Sequence, residues 1–138
     1  MTQWSELSDT RWNGDAELWL DPLGDQAVRS ACSARVGPSI LEYTWQHEGQ
    51  PQTGKLVLGE GGADFTDTFH SSSAMSCACV PGSRALVDVQ GSYGPDADWG
   101  WRITVSLRAP TGELVLQMTN IAPWGEEVRA VRMVMSRK

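Results

Sequence analysis

The chain has 138 residues, with 17 acidic against 11 basic side chains, a net charge of −6 and a hydrophobic content of 41%. Such a length is that of one domain, able to bury its own core without metal or disulfide staples. The acidic balance argues against a nucleic-acid backbone binder or an anionic-membrane binder, both of which need a basic face. No apolar run approaches the roughly 20 residues of a membrane-spanning helix. The opening residues, Met1-Thr-Gln-Trp-Ser-Glu-Leu-Ser-Asp9, lack the basic and then apolar pattern of a secretory leader. The expectation is a single domain over 1–138, soluble and cytoplasmic.

The dominant hydrophobic period is two, the period of a half-buried strand. A short N-terminal helix over Thr2 to Asp9 fits the first residues. Ten strands follow, separated by Gly, Pro and Asp clusters. The first runs from Trp12 to Leu20 and is closed by Asp21-Pro22-Leu23-Gly24-Asp25. The second runs from Ala27 to Val36 and ends at Gly37-Pro38. The third spans Ile40 to His47, with Glu48 to Gln52 as the turn that follows. The fourth covers Thr53 to Gly59, the fifth Ala63 to His70, and a short sixth Met75 to Val80. The seventh is Ala85 to Tyr93, turned by Gly94-Pro95-Asp96. The eighth is Trp99 to Arg108, the ninth Glu113 to Ile121, and the tenth Glu126 to Met135.

Ten short strands with tight connections predict antiparallel hairpins, and closure removes the exposed edges. The expected fold is therefore all-β: a single antiparallel up-and-down β-barrel, with a sandwich as the alternative. Alternation assigns the faces. Trp99, Trp101, Ile103, Val105 and Leu107 share one side of the eighth strand. Leu41, Tyr43, Trp45 and His47 line up in the third. In the fifth, Asp67 stands between Phe65 and Phe69 on the apolar side with Ala63. Val87, Val89, Gly91 and Tyr93 share a side of the seventh, and Leu114, Leu116, Met118 and Asn120 a side of the ninth. In the tenth, either Val128, Ala130, Arg132 and Val134 face inward or Val131, Met133 and Met135 do.

A wide barrel holds a ligand where side chains do not fill it. Aromatic walls with a few polar groups are the usual makeup of a small-molecule site. The candidate ligand-binding residues are Tyr43, Trp45, Phe65, Asp67, Phe69, His70, Tyr93, Trp99, Trp101 and Arg132. The competing reading is that these aromatics are simply the core. Asp67 and His70 form an Asp-x-x-His pair, the ingredients of an oriented general base. In a regular strand they point to opposite faces, so they meet only at a bulge or a strand end. Ser71-Ser72-Ser73 offers a nucleophile beside His70, but no Gly-x-Ser-x-Gly elbow is present. Gly59-Glu-Gly-Gly62 lacks the lysine and helix of a phosphate loop and reads as a turn.

Three cysteines, Cys32, Cys77 and Cys79, are an odd number, as in a reducing compartment. Cys77 and Cys79 share a strand face. With only His47 and His70 to join them, they read as small buried hydrophobes rather than metal ligands. Trp19 falls on the outward side of the first strand beside Asn13, Asp15 and Glu17, a position that fits a homodimer contact.

Several segments carry a family resemblance. Trp12-Asn-Gly-Asp-Ala-Glu-Leu-Trp-Leu-Asp-Pro22 resembles the opening strand of calycin-like barrels, which often begin Trp-x-Gly. With Phe65-Thr-Asp-Thr-Phe-His70, Gly91-Ser-Tyr-Gly94, Trp99-Gly-Trp-Arg-Ile103 and Met118-Thr-Asn-Ile-Ala-Pro-Trp-Gly125, the chain resembles a bacterial family of small single-domain barrels of that type. The resemblance implies a lipocalin-like or fatty-acid-binding-protein-like fold and no particular activity. By analogy of fold it implies a small apolar or amphipathic ligand inside the barrel. Nitrobindin-like haem barrels also open with Trp-x-Gly, but ligate haem with a histidine late in the chain. Here the last histidine is His70, so no haem or other cofactor is expected. The expected function is non-enzymatic binding of a partly apolar small molecule. The alternative is a hydrolase or other enzyme using Asp67 and His70 at the barrel mouth.

Overall fold

The computed structural model describes residues 3–20 and 26–138. Its ten strands are β1 (Thr10–Leu18), β2 (Val28–Val36), β3 (Ile40–His47), β4 (Gln50–Gly59), β5 (Gly62–Asp67), β6 (Ser71–Cys79), β7 (Val87–Tyr93), β8 (Trp99–Leu107), β9 (Leu114–Ile121) and β10 (Glu127–Arg137). Every strand pairs antiparallel with its neighbours in sequence, and β1 pairs with β10. The sheet is thus a closed up-and-down barrel. No helix of the described residues is long and apolar enough to cross a membrane.

The predicted strands are all present, with shifted ends. Leu41, Tyr43 and Trp45 face inward in β3, as do Ala63, Phe65 and Asp67 in β5. β4 begins at Gln50, because the loop before it has only two residues. His47 pairs with Gln50 across Glu48 and Gly49, both at positive φ. That is the type I′ geometry whose twist matches a hairpin. Pro51, read from sequence as part of the turn, lies inside the strand opposite Gln46. β6 begins four residues before its expected start, at Ser71 opposite Asp67. The expected helix is a single 3₁₀ turn over Trp4–Leu7. Thr2 and the Asp21–Asp25 turn lie outside the described residues.

The tenth strand resolves its ambiguity by using both inward sets. Its register against β9 shifts between Arg129 and Val131. A bulge sends consecutive residues to one side, so Ala130 is buried before it and Val131, Met133 and Met135 after it. Arg132 then falls between two inward residues and faces the outer side, opposite Glu17 on β1.

The barrel is packed at one end and open at the other. At the lower end Leu41, Leu56, Ile103, Leu114, Leu116, Met133 and Met135 are each exposed by 1% or less. Each such side chain contributes about 1.5–3 kcal/mol on leaving water. The 3₁₀ turn adds Leu7 to this cluster. It is tied down by Trp4 Nε1, which donates to the Gly37 carbonyl at 3.0 Å, and by the Asp9 amide, which donates to Val36 at 2.7 Å. At Gly14 no side chain fits, because a Cβ would meet the Val134 carbonyl of β10. The opposite end receives the C-terminal ends of β1, β3, β5, β7 and β9 and the starts of β2, β4, β6, β8 and β10.

Candidate functional site at the open end

β5 ends at Asp67, and the turn over residues 68–70 brings His70 back against it. Asp67 Oδ1 accepts from the Phe69 amide at 2.7 Å and the His70 amide at 3.0 Å, the Asx-turn pattern that local carboxylates favour. The same oxygen lies 3.3 Å from His70 Nδ1. The strand end therefore joins two side chains that an unbroken strand would separate. Oδ2 accepts from the Tyr43 hydroxyl on β3. Tyr43 reaches it by lying over Gly54 of β4, where a Cβ would overlap its ring.

These contacts set the charges. Burial alone would push the Asp67 carboxyl up, but hydrogen bonds from His70, Tyr43 and the Phe69 amide outweigh burial and hold it below the usual carboxylate range. Burial, and then the neighbouring Asp67 charge, push the Tyr43 hydroxyl well above its ordinary value. Asp67 is thus an ionised carboxylate exposed by only 2%. With Nδ1 engaged on Asp67, His70 keeps Nε2 for another partner.

Around this pair stands an aromatic wall. His70 stacks on Trp45 at 6.0 Å between centroids and lies 5.1 Å from Trp101. Phe69 packs edge-on to Trp45 and His47. Phe65 and Trp101 stack at 6.2 Å with 21° between their planes. Tyr93 donates its hydroxyl to Asn120 Oδ1 on β9. A cavity of about 350 Å³ opens among Phe65, Phe69, His70, Tyr93, Trp101 and Asn120.

Of the ten candidate residues, Phe65, Phe69, His70, Tyr93 and Trp101 line this cavity directly. Tyr43, Trp45 and Asp67 stand behind His70 and Phe69 and position them. Trp99 sits at the rim between Tyr93 and the exposed Trp124 and is not part of the lining. Arg132 is separated from the cluster, because the β10 bulge turns it to the outer side. Ser71 lines the cavity, but its hydroxyl donates to the Ser73 carbonyl at 2.7 Å.

Trp19 corrects the sequence reading. It was expected on the outer wall by alternation, but β1 stops at Leu18 and alternation stops with it. Trp19 folds over the rim, its amide donating to the Ala130 carbonyl at 3.0 Å, and its ring lines the cavity. The Arg129 guanidinium lies 4.7 Å from that ring. The indole N–H groups of Trp19 and Trp101 are buried without an acceptor among the described residues, as is that of Trp45.

The wall has a seam. β6 pairs with β7 only at Ala78–Gln90 and Cys79–Val89. Above those pairs Ser71 to Cys77 and Gly91 to Tyr93 run unpaired with each other. Met75 and Cys77 lean over Gly91, where a Cβ would push the Met75 thioether aside. Met75, Ser71 and Tyr93 line both the cavity and the outer groove along this seam.

No cluster of three or more His, Cys, Asp or Glu among the described residues could hold a metal ion. The three cysteines are unbridged. Burial pushes the thiol of Cys32 up to about 12 and that of Cys77 to about 11, which makes both poor nucleophiles. No protein-family model matches the chain, and no curated protein matches it in sequence.

Proposed function

We propose that this barrel, of the calycin kind, is a non-enzymatic binding module for a small, partly apolar molecule held at its open end. The cavity of about 350 Å³ walled by Phe65, Phe69, Trp101 and Tyr93 carries this reading. A barrel used only as a scaffold gains stability by filling such a space, since cavities cost dispersion contacts. The acidic surface and three unbridged cysteines support a reducing, cytoplasmic setting. A native mass spectrum of the protein as taken from cells tests the reading and counts subunits in the same trace. The expected result is an adduct that leaves on denaturation; a ligand-free mass, together with no response of Trp19 and Trp101 fluorescence to a library of small aromatic molecules, would overturn it.

A second reading rests on one specific contact, that of His70 Nδ1 with Asp67 Oδ1. A histidine oriented by a buried carboxylate, with Nε2 beside a cavity, is the arrangement of a general base. Turnover of any substrate that is abolished in His70→Ala and retained in Arg132→Ala would move the protein to the enzymes.

A further inference from the structure

Several polar groups around the cavity can only donate. Trp19 and Trp101 carry buried indole N–H groups with no acceptor among the described residues, and indole nitrogen can only donate. Trp101 is exposed by only 6%. Asn120 accepts from Tyr93 through its carbonyl oxygen, which leaves its amide N–H groups as donors. Among the described residues no carboxylate lines the cavity. The nearest one, Asp67, has Oδ1 on two amides and His70 and Oδ2 on Tyr43. Buried donors without partners are costly, and a protein that keeps two in one cavity has a use for them.

The charges around His70 point the same way. Asp67 faces it from its own turn, with Tyr43 behind the carboxylate on β3. His47 on β3 lies across Phe69, Tyr93 on β7 lines the cavity, and Arg129 on β10 sits at the rim over Trp19. A protonated His70 would have its charge balanced through Nδ1 by Asp67 while Nε2–H is offered to the cavity. Such a relay favours an anion on Nε2, through a charge-assisted hydrogen bond. At about 350 Å³ the cavity is at the small end of ligand pockets, which suits a compact anion. The stacked planes of Phe65 and Trp101, with His70 tilted beside them, favour a flat one.

We infer that the ligand is a single-ring aromatic carboxylate. Its ring lies against Trp101 and Phe65, and its carboxylate accepts from His70 Nε2 and from the indole N–H groups of Trp19 and Trp101. This rests on the binding reading above and narrows it to one ligand class.

Benzoate is the probe, with benzamide as its neutral isostere and benzylamine as its cationic counterpart. Binding is followed by isothermal titration and by the indole N–H resonances in ¹H–¹⁵N spectra. Benzoate is expected to bind at least tenfold more tightly than benzamide, with downfield shifts of the Trp19 and Trp101 indole protons. Benzylamine is expected not to bind. His70→Phe, which keeps a flat ring, should remove the preference for benzoate while benzamide affinity holds. Trp19→Phe should weaken benzoate alone. Benzamide binding as well as benzoate, or a preference for benzoate that survives in His70→Phe, would overturn the anion assignment and leave the binding barrel standing. Failure of all three probes, with no indole resonance moving, would overturn both.

Discussion

Replacing Tyr43 with Phe tests the charge arrangement behind His70 without touching the cavity. The ring would stay where it is, over Gly54 and exposed by only 3%. Only the hydroxyl that donates to Asp67 Oδ2 is deleted. Oδ1 keeps its three contacts, but Oδ2 has no other donor, so half of a buried carboxylate loses its partner. A hydrogen bond to a charged group contributes about 1.5–3 kcal/mol, so a loss of about 2 kcal/mol at pH 7 is expected. By linkage, the folded-state pKa of Asp67 rises in the variant, because a donor to its charged form is lost. The sign follows from the wild type, where the Asp67 carboxyl is held down. A depressed carboxyl stabilises the fold above its unfolded value of about 3.9 and loses that stabilisation as pH falls through the folded value. The gap between wild type and Tyr43→Phe should therefore be full at pH 7 and narrow below about pH 4, as Asp67 becomes neutral in both. Urea unfolding at a series of pH values measures it, with the midpoint shifting and the slope unchanged. A Tyr43→Phe protein within 0.5 kcal/mol of wild type at pH 7, or a gap independent of pH, would refute the charged-carboxylate argument (threshold set by ordinary surface substitutions, about ±0.5 kcal/mol).

Other consequences can be checked alongside. Gly54→Ala places a methyl group where the Tyr43 ring now lies. It should cost about 1–3 kcal/mol by overpacking and, unlike Tyr43→Phe, should also disturb the aromatic resonances of Trp45. On the outer wall Arg102 grips the buried Asp88 through two hydrogen bonds of 2.9 and 2.7 Å, and this holds the Asp88 carboxyl below the usual range. Asp88→Asn should cost about 1 kcal/mol near neutral pH, discounted for the solvent around Arg102, and progressively less in acid or high salt, as urea midpoints will show. Along the seam, amides of Ser72 to Ser76 that point toward β7 lack a β7 partner. Native-state hydrogen exchange should find some of them opening more readily than the amides of β8, which is paired along both edges.

What could be read in advance follows the range over which period two applies. β3 and β8 are regular where Tyr43 and Trp101 stand, and β5 keeps an even register along its β4 edge at Phe65 and Asp67 although it slips against β6 there, so alternation alone placed these on the inner wall. The errors sit where regularity breaks. A bulge is invisible in a pattern that alternates convincingly on both sides, and Arg132 followed from that blindness. Trp19 failed for a related reason, since the strand ends at Leu18, two residues before the expected Leu20, and nothing in Leu18-Trp19-Leu20 marks that end. Ser71-Ser72-Ser73-Ala74 has weak strand propensity and joins the sheet because β5 pairs on either side of it, at Ser71 and Met75, a tertiary preference overriding a local one. The contact of Asp67 with His70 was legible only as a condition, that the strand end there, and Thr68 is indeed in a turn.

The same division separates stability from function, and it too has a measurable form. The regular lower half holds the aliphatic side chains with no exposure, while the upper half carries unpartnered indole donors and Phe69, which is 37% exposed. Groups that cost stability are tolerable at the open end because the lower packing supplies a surplus, as sites placed on rigid scaffolds generally require. Leu41→Ala, at a position without exposure, should then lose about 2–5 kcal/mol. Phe69→Ala removes a larger side chain yet should lose less, because part of its surface already meets water and the turn around Asp67 Oδ1 is held through backbone amides. Its effect should appear in ligand affinity, where the edge-on contacts with Trp45 and His47 shape the wall. If thermal unfolding instead finds Phe69→Ala as damaging as Leu41→Ala, the open end is part of the structural core, and the aromatic cluster there exists to hold the barrel closed rather than to receive a ligand.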